Sequence, residues 1–325
     1  MLTIDTSYLK KKKNLLAFSA GIDSSALFFL LLEKNIPFDI AIVDHGMRSE
    51  SKHEVAHAKA LAQKYGLRCF ISSAPQFDSC FEQQARTFRY DFFETLIAQH
   101  GYDTLLTAHQ LNDQLEWLLM RLVRGAGVSE LVGLEPISQR EGYALMRPLL
   151  AYSKEELLTY LNTKGYPYFV DESNDDARYE RNRFRKTFSD PLIAQFKEGI
   201  RRSFDYLRDD KKLLEASFET IYTDKELRIV RLYTPILKAK AADLALKSLG
   251  YLLSAAQRQE IANQKSLVVG RKWVVEYQND LLYIAPYLTT DMPKSFKEKC
   301  RIAKIPAKIR PYLFEEGIDI ATLPQ

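Results

Sequence analysis

Residues 14–25 read NLLAFSAGIDSS, an apolar run followed by a turn of small and polar residues. The run is apolar on both faces, as a strand buried on both sides must be, and the turn opens a helical pattern from about Ser24. The same rhythm repeats outward from it. FDIAIVD (38–44) precedes a helix from about Ser51, RCFISS (68–73) a helix from about Phe81, and DTLLTAH (103–109) a helix from Asn112. Buried strands alternating with crossovers of helical length predict an α/β fold with an open, doubly wound parallel sheet. Such sheets bind ligands at the carboxyl ends of their strands. Three chemically equipped segments fall there: SAGIDSS (19–25), VDHGMRSES (43–51) and AHQLNDQ (108–114).

SAGIDSS suits an anion, because backbone N–H groups and the helix dipole converge at a strand-to-helix turn. Gly21 permits close backbone approach, Ser19, Ser24 and Ser25 offer hydroxyls, and Asp23 can help to hold a divalent cation. An ordinary N-cap accounts for the same residue types. The turn is not a Walker A loop, since G-x-x-x-x-G-K-[ST] is absent from the chain. Asp113 and Glu116, at i and i+3 near a helix start, can point into one pocket. Two carboxylates there suit an ammonium or a shared metal, and dipole compensation is the simpler alternative. Arg86, Arg89 and Tyr90 share a helix face that can meet phosphate or remain solvated.

SAGIDSS resembles the S-G-G-x-D-S signature of the PP-loop ATP-pyrophosphatases, with Ala20 where that family usually has glycine. Phosphate binding is expected to survive this change if Ala20 keeps negative φ. Four further segments are similar to those of the lysidine synthetases within that family: AIVDHGMR (41–48), EQQARTFRY (82–90), TAHQLNDQLE (107–116) continuing to RLVRGAG (121–127), and the run from RPLL (147–150) through DESND (171–175) to RNRFR (181–185).

The resemblance covers about residues 14–190 and implies an adenine nucleotide α-hydrolase-like fold. It implies ATP bound by Ser19, Ala20, Gly21, Ile22, Asp23, Ser24 and Ser25 with Asp44 and His45, and Mg2+ held partly by Asp23. The implied catalytic set is Asp23, His109, Asp113, Glu116, Arg147 and Arg185, with Asp113 and Glu116 binding L-lysine. Arg86, Arg89, Arg124, Arg181 and Arg183 would meet RNA. The implied partner is tRNA(Ile) with a CAU anticodon, and a homodimer is an admitted assembly. The rival within the family is a thiolase; a non-catalytic RNA-binding homologue is the rival outside it.

The chain has 325 residues, 46% hydrophobic and 27% charged, long enough for two domains and typical of a folded, soluble protein. Residues 1–190 are expected to form the catalytic domain, 191–223 a helical connector, and 224–325 a small α+β domain that binds tRNA. In the connector, Phe196, Ile200, Phe204 and Leu207 have helical spacing. Beyond it, Ser254 reads as a helix cap, and KSLVVGRKWVVEYQNDLLYIAP (265–286) as strands turning at Gly270 and Asn279-Asp280. The net charge of +4 decides little, but residues 294–310 carry seven basic side chains against one acid, and 178–186 carry five against one. Cys69, Cys80 and Cys300 form no C-x-x-C pair, which argues against a disulfide framework and against sulfur chemistry. No secretory h-region or membrane span is expected, and the location is cytoplasmic.

Overall fold

The computed structural model describes residues 2–44, 46, 50–77, 81–170 and 180–324. His45 and the segment 171–179, which includes the DESND match, lie outside the described residues. The chain forms two units, Met1–Arg208 and Asp209–Gln325.

The first unit begins β1 (Asn14–Ala17), α1 (Ile22–Glu33), β2 (Phe38–Asp44), α2 (Glu50–Tyr65), β3 (Cys69–Ser73), α3 (Phe81–His100), β4 (Thr104–Leu106) and α4 (Leu111–Leu122). There follow α5 (Val128–Val132), β5 (Ile137–Arg140), β6 (Tyr143–Met146), α6 (Lys154–Lys164), α7 (Glu180–Phe184), a π-helical turn (Arg185–Ser189) and α8 (Asp190–Glu215). The strand order is β3-β2-β1-β4-β6-β5. All neighbours pair parallel except β5, which returns antiparallel on β6. The sheet is therefore mixed at one edge. Glu141 and Gly142 separate β5 from β6, too short a connection for a parallel crossover.

The chain winds outward from β1 to β3 and then returns to β4 on the other side of β1. That reversal opens a crevice between the carboxyl ends of β1 and β4. α1 is buried from Ser24 through Leu31, because it lies in the interior with aromatic neighbours on several sides. Phe28 meets Phe38 edge-on at 5.3 Å, and Phe29 stacks on Tyr166 at 3.9 Å. At the opposite strand ends, buried Asn14 donates to the carbonyls of Leu9, Lys12 and Pro37 and accepts from Thr104 Oγ1.

α8 packs Ile193 and Phe204 against Leu111 and Leu115 of α4. Phe196 does not join them. Its φ of −131° breaks the helix there and turns the ring outward, leaving it 57% exposed. The helix also stops at Glu215, short of Thr223: Phe218–Asp224 is β7, whose β-branched and aromatic side chains suit a strand.

The second unit continues with β8 (Leu227–Leu232), α9 (Lys238–Ser248), α10 (Ala255–Asn263), β9 (Ser266–Val269), β10 (Trp273–Gln278), β11 (Leu281–Pro286), α11 (Lys294–Ile302) and α12 (Arg310–Glu316). Its sheet, β7-β8-β11-β10-β9, is antiparallel throughout. Leu281, Tyr283 and Ala285 pack with α11 and α12, while Leu282 and Ile284 pack with α9 and α10. The sheet is thus covered on both faces, and its strands are apolar at successive positions. Asn279 and Asp280 both take positive φ in the two-residue β10–β11 turn, and Ser254 caps α10 in a reciprocal pair with Gln257.

Candidate active site

The loop after β1 is built by its serines. Ser24 Oγ lies 3.1 Å from Ser19 Oγ and donates to the Gly21 carbonyl, while Ser25 Oγ donates to the Ala20 carbonyl at 3.1 Å. The Phe169 N–H reaches the same Ala20 oxygen at 2.9 Å. With its carbonyl held twice, Ala20 is buried and adopts φ 61°. The expectation of a negative φ is therefore overturned: the position has the left-handed backbone that glycine adopts without a Cβ penalty, and alanine tolerates it at a cost of about 1 kcal/mol. Ile22 and Asp23 begin α1 with Gly21 as N-cap, leaving the first helical N–H groups at the crevice.

Asp23 is the electrostatic centre of this loop. Burial and the nearby Asp113 charge push its carboxyl up to about 7, against the opposing pull of Lys154 and Arg185. Its Oδ1 is buried and has no hydrogen-bond partner among the described residues.

Across the crevice, the chain after β4 places Thr107, His109 and the start of α4. Gln110 and Asp113 form a reciprocal cap, with Asp113 Oδ2 accepting from the Gln110 N–H at 3.0 Å. Asp113 Oδ1 accepts from Arg181 Nη2 at 2.9 Å and stands 3.6 Å from Arg185 Nη2. Glu116, 2% exposed, accepts from Arg181 Nε and, at 3.0 Å, from Arg185 Nε. Burial nevertheless raises the Glu116 carboxyl, outweighing both guanidinium groups.

His109 is held neutral: burial and the charges of Arg147, Arg181 and Arg86 bring its imidazole down to about 4, although Asp113 pulls the other way. Its Nδ1 lies 3.0 Å from Thr107 Oγ1. Arg147, which follows β6, donates through Nη1 to the Glu135 carbonyl and Ser138 Oγ, and its buried Nε has no partner among the described residues.

The tertiary structure thus brings Asp23, His109, Asp113, Glu116, Arg147, Arg181 and Arg185 into one electrostatically coupled group. Arg86 and Arg89 reach it from α3, with Arg86 over the Tyr90 ring at 4.9 Å. Arg124 pairs with Glu180 at 2.5 Å, and Arg183 is exposed. Asp44, at the end of β2, accepts from the Gly46 N–H at 2.8 Å. Two contributors escaped the sequence reading. Lys154 starts α6 far along the chain and carries no local motif, so only the fold places its charge near Asp23. Thr107 was visible inside its segment, but only the structure turns its hydroxyl onto His109.

Known proteins match this arrangement. The family model described as the PP-loop domain matches residues 2–192. A tRNA(Ile)-lysidine synthase of Campylobacter jejuni (strain NCTC 11168) is 46% identical over 318 residues, 98% of this chain and 97% of that protein. The chain belongs to the tRNA(Ile)-lysidine synthase family. Another lysidine synthase, from Helicobacter pylori (strain 26695), is 41% identical over 312 residues, 95% of this chain and 91% of its own. A solved U34-tRNA thiolase from Methanococcus maripaludis shares the fold alone, with 18% identity and a TM-score of 0.53 over 63% of this chain and 74% of that one. Lysidine synthases are ligases, and the PP-loop domain of this one implies ATP as a ligand. Among the described residues, no helix is long and apolar enough to cross a membrane.

Proposed function

We propose that this lysidine synthase works in the cytoplasm on tRNA(Ile) with a CAU anticodon, adenylating its wobble cytidine with ATP and then joining L-lysine to the activated base. The observation that carries the site assignment is that an anion-suited loop and a buried carboxylate pair share one crevice, coupled through Asp23 and Asp113.

In the first step cytidine O2 attacks the α-phosphate and pyrophosphate leaves. The N–H groups at the start of α1, the hydroxyls of Ser19 and Ser24, and the charge of Lys154 are disposed to bind the phosphates. Mg2+ fits Asp23, whose buried Oδ1 has no partner among the described residues. Among the described residues no group of three or more His, Cys, Asp or Glu could hold a metal, so Asp23 would hold the ion together with phosphate oxygens, where it would neutralise developing charge.

In the second step the lysine ε-amine attacks C2 and AMP leaves. Asp113 and Glu116 hold the ammonium, which must lose a proton before it attacks. The raised Glu116 carboxyl accepts that proton better than an ordinary carboxylate, whereas His109, brought down to about 4, is a poor base suited to donating or accepting a hydrogen bond while neutral. Arg86, Arg89, Arg124, Arg181 and Arg183 supply positive charge for the RNA backbone, and the second unit, with its basic α11 region, serves as a tRNA-binding extension.

The test is incorporation of labelled lysine into a tRNA(Ile) transcript with a CAU anticodon, with and without ATP. ATP-dependent labelling that disappears when the wobble cytidine is replaced is the expected result. No labelling, despite demonstrated binding of ATP and tRNA, would refute the reading.

A further inference from the structure

Every oxygen of the carboxylate pair assigned to lysine already accepts from one of the protein's own donors. Asp113 Oδ2 takes the Gln110 N–H, Asp113 Oδ1 and Glu116 Oε1 take Arg181, and Glu116 Oε2 takes Arg185. An incoming ammonium brings three donors and needs two or more of these oxygens. Each oxygen can accept a second donor, but an ammonium that bridges the pair needs the position between the two carboxylates, which the Arg181 guanidinium fills.

The three donors differ in how firmly they are held. The Gln110 N–H is backbone, locked in the α4 cap. Arg185 is the first residue of the π-helical turn, and its side chain is 18% exposed. The Arg181 side chain is 42% exposed, sits on the five-residue α7, and bridges both carboxylates by hydrogen bonds. A guanidinium spanning Asp113 and Glu116 makes the contacts that a lysine ammonium would make.

Charge balance specifies what else is needed. Two carboxylates and two guanidinium groups are neutral together, so adding an ammonium leaves one positive charge in excess. Beyond the carboxylates Arg181 is coupled to Arg89, which is coupled in turn to Arg86, and Arg86 to Arg147. No carboxylate among the described residues forms a salt bridge with Arg86, Arg89 or Arg147. Such a cluster attracts an anion, and a phosphate bound there gives the displaced guanidinium a new partner.

We propose that Arg181 occupies the lysine site as an internal competitor and that a phosphate group bound at the neighbouring arginines draws it away, so that lysine binds well only after a phosphate-bearing substrate. The proposal rests on the assignment of Asp113 and Glu116 to lysine. By linkage, lysine in turn strengthens the binding of the phosphate-bearing substrate.

The experiment measures equilibrium binding of labelled lysine to the full chain in four states: alone, with an ATP analogue that cannot be cleaved between the α and β phosphates, with tRNA(Ile), and with both. Lysine affinity is expected to rise about tenfold or more with at least one phosphate-bearing partner, and the separate arms identify whether nucleotide or RNA supplies the phosphate. In Arg181→Gln, lysine should bind the protein alone about as tightly as it binds the wild-type complex, with the enhancement reduced to near unity. Arg181→Lys, which keeps the charge, should retain an enhancement and guards against a folding defect in the glutamine variant. No enhancement in any wild-type arm, or lysine affinity unmoved by Arg181→Gln, would overturn the exchange. Lysine affinity unmoved by Glu116→Gln would instead overturn the assignment of the carboxylates.

Discussion

Two acid–arginine clusters sit at opposite ends of the parallel strands, and they are built for different ends. At the amino-terminal ends, Asp39 accepts from the Arg68 N–H at 2.8 Å, from its Nε at 2.9 Å and from the Tyr102 hydroxyl at 2.6 Å. At the carboxyl ends, Asp113 and Glu116 share Arg181 and Arg185. Burial acts on both carboxyls, yet Asp39 is lowered because its hydrogen bonds win, and Glu116 is raised because burial wins. Arginine partners alone therefore do not settle a carboxylate. Asp39 is satisfied by its own neighbours, whereas burial leaves Glu116 under-stabilised, which fits the proposed lysine site.

The comparison can be broken most directly at Glu116. Glu116→Gln is expected to raise the KM for lysine about a hundredfold, the effect of losing charge-assisted hydrogen bonds worth about 3 kcal/mol, while ATP affinity and Tm change little. A large drop in Tm with unchanged lysine KM would make this cluster structural, like that of Asp39.

Asp23 sharpens the contrast from the same crevice. Because its folded pKa is raised from 3.8 to about 7, its ionisation opposes folding: the cost is absent below about pH 4, grows as pH rises, and is complete above about 7. Asp23→Asn should thus stabilise the metal-free protein at pH 8, by on the order of 3 kcal/mol, and give no gain at pH 4. Thermal unfolding in a chelator at both pH values, beside pyrophosphate release, which should fall sharply, checks both halves.

Asp39→Asn should do the reverse, costing about 1–2 kcal/mol of stability and leaving lysine KM unchanged. Since the folded pKa of Asp39 is depressed, that stabilisation is present above pH 3.8 and is lost as pH falls through the lowered value. The Tm difference between wild type and variant should therefore close in strong acid; a constant gap would assign it to packing. The smallest effect is expected at Ala20. Ala20→Gly relieves the positive-φ cost but loosens the unfolded chain, so stability should change by less than about 1 kcal/mol, with the KM for ATP moving no more than a few-fold.

Much of this was legible in the chain before any coordinates. Local patterning located β1 through β4 and their helices, because strands apolar on both faces and capped helices are properties of neighbouring residues. It misjudged α8, where helical spacing at Phe196 concealed a kink near the start and an unbroken run to Thr223 concealed a strand beyond the end. Periodicity reports which face could be buried, and packing decides which face is. The site was legible as segments, with Asp113 and Glu116 placed on one face by their three-residue spacing.

The sequence by itself determined the doubly wound architecture, the anion-suited turn after β1 and the segments that carry most of the candidate site residues, since these depend on spacing within a few turns of chain. Only the tertiary structure decided that Arg181 and Arg185 fill the carboxylate pair from a separate helix, that Lys154 faces Asp23, that Thr107 orients His109, and that Ala20 takes a left-handed backbone. Those outcomes depend on burial and on charges brought together from distant parts of the chain, as with Arg181 and Glu116 at a separation of 65 residues, or on how the fold holds a local segment, as where the Phe169 N–H takes the Ala20 carbonyl or Thr107 meets His109. Electrostatic energy depends on distance in space and on solvent exclusion, and neither can be read from distance along the chain.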